Sequence, residues 1–208
     1  MILQKQGSKI TAWRKDRSLE LTRQRRPDLL GDPASAGTSA PAVPITTLRD
    51  ADESDTDDLL AVHAAAFPTD AEAKLGAELL DGHDVLFSLA AEQHVAGQPR
   101  MVGHALLTAM THEHGGSVRG LVGLAPIAVH PDHQRRGIGS ALVREAIRQG
   151  RANRVTALFV LGDPDFYGRF GFQPASQHGF TDDFGGGEAF QVIPLRESRP
   201  APPGRVSY

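Results

Sequence analysis

Apolar and polar positions along the chain fall into a regular rhythm only from Ile45 onward. Residues 45–48 read as a short strand. Behind Ser54 or Asp55 as a cap, Leu59, Val62, Ala66 and Phe67 recur at helical spacing until Pro68. A second helix is predicted over 70–80, with Gly82 beyond it. Strands follow at 85–91 and 102–110, divided by the turn residues Gly97, Gln98 and Pro99. The runs 121–129 and 155–161 are apolar on both faces, as in the middle of a covered sheet. Between them Ile138, Leu142 and Ala146 share one helical face, with Val143 and Ile147 beside it. That strand–helix–strand unit implies parallel pairing with a right-handed crossover. Further strands are expected near 172–174 and 188–195. The class is α+β or mixed α/β, with antiparallel strands first, and there is no internal repeat.

Composition narrows the chemistry. The 208 residues include no cysteine, which excludes disulfides, thiolate metal sites, Fe–S clusters and a cysteine nucleophile. No apolar run approaches the ~18 residues of a membrane span, and the first residues lack an apolar signal core. No membrane role is therefore expected, and a cytoplasmic location is the starting point. The first 44 residues hold eight Lys or Arg against four Asp or Glu, so of the net −3 the remainder carries −7. An acidic folded part gives no footprint for nucleic acid. Residues 1–43 read as a disordered or loosely attached extension, ending in a Pro/Ala/Ser/Gly run over 31–44. Arg23, Arg25 and Arg26 in it could touch an anionic surface, whereas Asp16, Glu20 and Asp28 interrupt any transit-peptide pattern. The acid-rich run 50–58 reads as helix capping rather than a cation site.

The segment from Val129 to Ser140, VHPDHQRRGIGS, carries the most chemistry. Pro131 closes a strand, and a helix opens at the glycines. Gly137 and Gly139 lack the Cβ atoms that would keep a ligand from the backbone. Free N–H groups at the helix start, with the dipole behind them, suit phosphate oxygens, and Arg135 and Arg136 add two permanent charges. By itself a G-x-G before a helix fits a simple tight turn about as well. It is neither the dinucleotide fingerprint, since Leu142 stands where a third glycine would, nor a Walker loop, which needs Gly-Lys-Ser/Thr.

Gln134-Arg135-Arg136-Gly137-Ile138-Gly139 matches the Q/R-x-x-G-x-G/A motif of the GNAT superfamily of acyl-CoA-dependent N-acetyltransferases. Asp163-Pro164-Asp165-Phe166-Tyr167-Gly168-Arg169-Phe170-Gly171-Phe172 resembles the segment after that family's fifth strand, in the form seen in a bacterial branch of small acetyltransferases. The resemblance covers about residues 44–196, leaving 197–208 as a C-terminal tail. It implies a central mixed sheet of six to seven strands, splayed between strands four and five and flanked by about four helices. It further implies acetyl-CoA as co-substrate, a primary amine as acceptor, no metal, and a homodimer as in many relatives. The backbone of Ile127, Ala128 and Val129 would pair with the pantetheine arm, and the N–H groups from Arg135 through Gly137 and Ile138 to Ser140 would hold the diphosphate. Gln134 would serve the same site or bond the loop backbone. Pro126, awkward inside a strand, suits one that is bulged and splayed.

Asp163 as N-cap and Pro164 at the first position open a short helix that Gly171 ends. In relatives a tyrosine at the place of Tyr167 protonates the departing thiolate, beside a CoA-contacting residue at Phe166. The alternatives are packing with Phe166, Phe170 and Phe172, or a contact to the sulfur without proton transfer. Relatives often carry a general-base Glu on strand four, where this chain has Gly123, Leu124 and Ala125. His104, His112, Glu113 and His114 are the other candidates. The 111–116 run is a poor zinc site without a helix or cysteine. His63, His83, His94, His178, His130 and His133 have mundane readings. The connection over 180–190 reads as a mobile hairpin bordering the acceptor pocket. A non-catalytic acyl-CoA-binding module on the same fold is the rival reading.

Overall fold

The computed structural model describes residues 45–67, 85–95, 97–113, 120–183, 185–196 and 201–207. Their strands are β1 (Thr46–Asp50), β2 (Val85–Val95), β3 (Gln98–Ala109), β4 (Thr111–His112), β5 (Leu121–Val129), β6 (Ala157–Leu161), β7 (Gln173–Pro174), β8 (Phe180–Asp182), β9 (Phe190–Pro194) and β10 (Gly204–Ser207). The helices are α1 (Thr56–Ala66), α2 (Ile138–Ala152) and α3 (Pro164–Tyr167). Seven strands make one mixed sheet in the order β1-β2-β3-β5-β6-β9-β7. Its parallel pair is β5 with β6, as the strand–helix–strand pattern predicts. The helix expected over 70–80 and the extension 1–43 lie outside the described residues. No helix among the described residues is long and apolar enough to cross a membrane.

The periodic positions of α2 do what their spacing predicts. Ile138, Leu142, Val143, Ala146 and Ile147 are buried against Ala105 and Leu107 of β3 and Val122 and Leu124 of β5. Burying each large side chain contributes roughly 1.5–3 kcal/mol, more than the helix's own propensity supplies. Gly103 sets how close the helix comes. A Cβ there would stand 3.1 Å from Ile138 Cγ2 and 3.2 Å from the Ala128 carbonyl oxygen. The first turn of α2 therefore sits directly over the middle of β3 and the end of β5. Leu121, on the opposite face of β5, joins Phe159, Phe180 and Phe190 in a second apolar cluster.

Three local expectations are corrected. The acidic run does cap and Asp55 is the N-cap residue of α1, but the side-chain cap bond is made one turn earlier, where Asp52 caps the 3-10 turn Glu53–Asp55: its carboxylate accepts from Ser54 N–H at 2.9 Å, while the Asp55 carboxylate accepts from Asp52 N–H. Asp55 makes no cap bond at the start of α1, because Arg49 holds it at 2.6 and 2.7 Å. That guanidinium is the chief reason the Asp55 carboxyl is lowered to about 2. The segment expected to be a tail contains β10, antiparallel to β4 and parallel to β8 in a separate three-stranded sheet, with Val206 buried. The segment expected to be a loose hairpin over 180–190 contains β8, so part of it is ordered by that same sheet.

A cleft between two diverging strands and its phosphate-type loop

β5 and β6 pair only through Leu121–Ala157, Val122–Leu158 and Gly123–Phe159. β5 then runs six residues further with β3 on one side and, among the described residues, no strand on the other. The divergence coincides with a bulge: Ile127 faces Ala105 and Leu124 faces Leu107, so Ala125 and Pro126 together oppose Leu106. Proline loses nothing there, which is why it is tolerated inside β5. The His130 N–H donates to the Val102 carbonyl at 2.9 Å. Carrying the alternation of an antiparallel ladder back from that bond turns the polar groups of Ala128 toward His104 of β3. The same alternation turns those of Ile127 and Val129 to the open edge. Of the three residues expected at that edge, Ile127 and Val129 present backbone to it and Ala128 does not.

The edge leads into the loop. Gln134 Nε2 donates to the Val129 carbonyl at 3.0 Å, so this side chain fixes the end of β5, the loop-bonding role open to it in the sequence. His133 Nδ1 donates to Gln93 Oε1 at 2.9 Å, and Gln93 Nε2 donates to Thr46 Oγ1 at 2.8 Å, tethering the loop across the sheet. Burial is the main reason the His133 pKa is lowered, which preserves a neutral tethering ring. Arg135 (φ 59°) and Gly137 (φ 87°) are both left-handed. Such a conformation is uncommon for a residue with a side chain and typical of a functional loop.

Gly137 is the N-cap of α2 and offers no side-chain cap bond, and no acid lies in the first turn. The N–H groups of Ile138, Gly139 and Ser140 thus face outward at the positive end of a 15-residue helix, behind Arg135 and Arg136. A Cβ on Gly137 would meet nothing within 4 Å, whereas one on Gly139 would stand 3.7 Å from both Phe166 Cζ and Val129 Cγ2. Gly137 is favoured by its left-handed backbone and not by want of space, and Gly139 lies between β5 and α3.

On the other wall, Asp163 accepts from Asp165 N–H at 2.9 Å and caps α3. Tyr167 then stands in an aromatic cluster, 4.9 Å from Phe166 and 5.7 Å from Phe172 between ring centroids. Gly162 makes room for it, since a Cβ there would fall 2.5 Å from Tyr167 Cε2. Burial pushes the Tyr167 phenol up to about 12, so the hydroxyl stays protonated throughout the ordinary pH range. Packing and chemistry are therefore not exclusive for this residue.

The candidate bases are disposed of differently. His104 is buried, bonded to His63 Nε2 at 2.8 Å through Nδ1 and to Ser88 Oγ at 2.9 Å through Nε2. Burial is the first cause of pKa values lowered to about 3 for His104 and about 4 for His63. With both nitrogens engaged, His104 is no proton acceptor for a substrate amine. His112 Nε2 bonds the Pro203 carbonyl, and Glu113 lies 3.9 Å from Arg205. His114 lies outside the described residues. The His63–His104 pair spans 41 positions with no local signal, so the sequence reads both as isolated histidines.

A family model described as an acetyltransferase (GNAT) domain matches residues 47–175. The chain is 34% identical over 130 residues to the uncharacterized N-acetyltransferase YjhQ of Escherichia coli K12, covering 62% of this chain and 71% of that one. The crystal structure of the Escherichia coli GNAT family N-acetyltransferase YhbS in complex with CoA superposes with a TM-score of 0.71 at 28% identity, covering 82% of this chain and 93% of that one. A Brucella melitensis GNAT family acetyltransferase in complex with acetyl-CoA gives a TM-score of 0.64 at 27% identity, covering 79% and 96%.

Proposed function

This chain belongs to the GNAT acetyltransferase family, and from that premise we propose that it transfers an acetyl group from acetyl-CoA to a primary amine, both substrates being bound at once. One observation carries the reading: β5 loses its partner after Gly123, and its open edge ends at a helix N-terminus with neither a cap nor an acid. An extended amide-bearing arm can add to such an edge as a strand does. Phosphate oxygens suit such a helix start. The CoA and acetyl-CoA complexes of the two neighbouring structures support acyl-CoA as the ligand here.

In this reading Ile127 and Val129 hold the pantetheine arm through their backbone, and Gln134 keeps that edge in place. The N–H groups of the loop and of Ile138, Gly139 and Ser140 take the diphosphate, with Arg135 and Arg136 neutralising its charge. Phe166 packs behind Gly139. The Val129 N–H polarises the thioester carbonyl as the amine attacks. Bond formation to nitrogen and loss of the sulfur leave a thiolate, and Tyr167 donates to it. A phenol at about 12 is a weaker acid than a thiol near 8.5. The donation therefore develops as charge gathers on a sulfur in the same dry surroundings, which raise the thiol as well. No carboxylate on β5 takes the amine's proton, so water or the neutral fraction of the amine serves. Positioning two substrates in one cleft supplies most of the rate.

The test is thiol release from acetyl-CoA across a panel of amines, paired with calorimetric titration of acetyl-CoA. Amine-dependent release is expected. Tight binding with no release above the buffer rate for any amine would favour a non-catalytic acyl-CoA-binding module. That rival rests on the missing β5 carboxylate.

A further inference from the structure

β9 is an apolar strand with one long polar residue in it, Gln191. Its neighbours Phe190 and Val192 belong to the cluster around Phe159, whereas Ile193 packs on the other face, in the layer that also holds Tyr167. Strand alternation puts Gln191 on the face of Ile193 and Tyr167. Gln191 is 1% exposed. A primary amide buried so deeply is costly unless it is hydrogen-bonded. The partner it finds is backbone: Nε2 donates to the Gly162 carbonyl at 3.1 Å, across 29 positions of sequence.

Gly162 is held from its other side as well, since its N–H donates to the Ala189 carbonyl at 2.9 Å. Both of its backbone polar groups are thus engaged by β9 and the residue that leads into it. Gly162 joins β6 to α3. The next residue, Asp163, takes the N–H groups of Phe166 and Tyr167 on its carbonyl, each at 3.0 Å. The Tyr167 ring lies back over Gly162, where a Cβ would stand 2.5 Å from Cε2 and 3.5 Å from Cζ, the carbon that bears the hydroxyl. In so close a contact, a displacement of Gly162 is passed on to the ring.

We infer that Gln191 is a positioning residue for Tyr167 and acts through Gly162. This rests on the general-acid role given to Tyr167 above and adds what holds its hydroxyl in place. The apolar contacts of the ring with Phe166 and Phe172 are non-directional, whereas the hydrogen bonds on Gly162 fix distance and angle. That precision matters to the transfer step, because a reacting group misplaced by about 1 Å costs on the order of a hundredfold.

A double-mutant cycle tests this, read as single-turnover thiol release from acetyl-CoA with the primary amine that releases thiol fastest in the panel. Gln191→Met keeps the length and the burial and removes the donor. It should lower the single-turnover rate roughly five- to fiftyfold and leave acetyl-CoA affinity by calorimetry within about twofold. In a Tyr167→Phe background, which has no hydroxyl to position, the same substitution should change the rate by less than about twofold. A merely structural role would lower the rate by the same factor in both backgrounds. That result, or a parent-like rate in Gln191→Met, would overturn the inference while the acid role of Tyr167 stood. Should Gln191→Met fail to fold, Gly162→Ala disturbs the same contact with Gln191 intact, and its methyl should displace the ring and slow transfer at unchanged acetyl-CoA affinity. A parent-like rate in Gly162→Ala would equally overturn the inference. A Tyr167→Phe protein as fast as the parent, or a parent without amine-dependent release, would overturn the reading beneath it and the positioning role with it.

Discussion

Two helices start at the carboxyl ends of the diverging strands β5 and β6, and their first turns are built in opposite ways. α3 closes its own N-terminus: Asp163 accepts from Asp165 N–H, Pro164 removes a donor, and Asp165 adds a carboxylate. α2 leaves its N-terminus open, behind a left-handed glycine with no cap bond and two arginines instead of acids. The difference teaches how one cleft divides its labour. The closed helix is free to present a side chain, Tyr167, while the open helix presents backbone N–H groups to a ligand that supplies the missing negative charge.

If the closed helix contributes chemistry, removing one hydroxyl should be the costliest change. Tyr167→Phe keeps the ring packing, so acetyl-CoA affinity should change little while kcat falls roughly 10²–10⁴-fold. A kcat within about twofold of the parent, with chemistry rate-limiting, would leave α3 a packing element only. If the open helix needs its arginines, Arg135→Ala combined with Arg136→Ala should weaken acetyl-CoA about ten- to a hundredfold and flatten the salt dependence of binding. An unchanged salt slope would show that neither charge meets the diphosphate.

The buried His63–His104 pair gives a change of pH rather than of sequence. Both rings are more readily kept neutral in the fold, at about 4 and about 3, than in an unfolded chain near 6.5. Their contribution to stability is therefore complete above about pH 6.5 and is lost progressively as pH falls from there toward about 3. Thermal melts at pH 7 and pH 5 should show it, and His104→Gln should reduce the difference. A melting temperature independent of pH over that range would mean the pair is not buried as described. The smallest effect belongs to the cap of α3. Asp163→Ala should cost about 1 kcal/mol in denaturant unfolding and leave acetyl-CoA affinity within about twofold. A larger loss of affinity would mean that the two helix starts are not independent.

Much of this division is written locally in the sequence. The asymmetry between Gly137-Ile138-Gly139 and Asp163-Pro164-Asp165 is a matter of neighbouring residues, and so is the buried face of α2 from Ile138 to Ile147. The bulge that frees the edge of β5 is announced by Pro126, because proline cannot donate within a ladder. Other features depend on distant pairings with no period to reveal them. β10 is four residues, of which Val206 alone is buried, and its place between β4 and β8 comes from closure of the chain. His63 and His104 meet through packing of α1 on β3, and Ala128 loses its place at the edge through ladder alternation set by the His130–Val102 bond. Gln191 reaches Gly162 across 29 positions of sequence, so that bond too is visible only in three dimensions.

The open N-terminus of α2 is tested most directly by closing it as α3 is closed. Asp tolerates the left-handed region better than most residues, and a Cβ at position 137 meets nothing within 4 Å. Gly137→Asp should therefore fold with a melting temperature within a few degrees of the parent's, yet set a carboxylate where the diphosphate is proposed to lie. Calorimetric titration of acetyl-CoA into that variant should show an affinity at least about a hundredfold weaker, the cost of replacing an attractive charge with a like one in the same seat. Parent-like affinity in the folded variant would contradict the account, because no phosphate could then be resting on the first turn of α2.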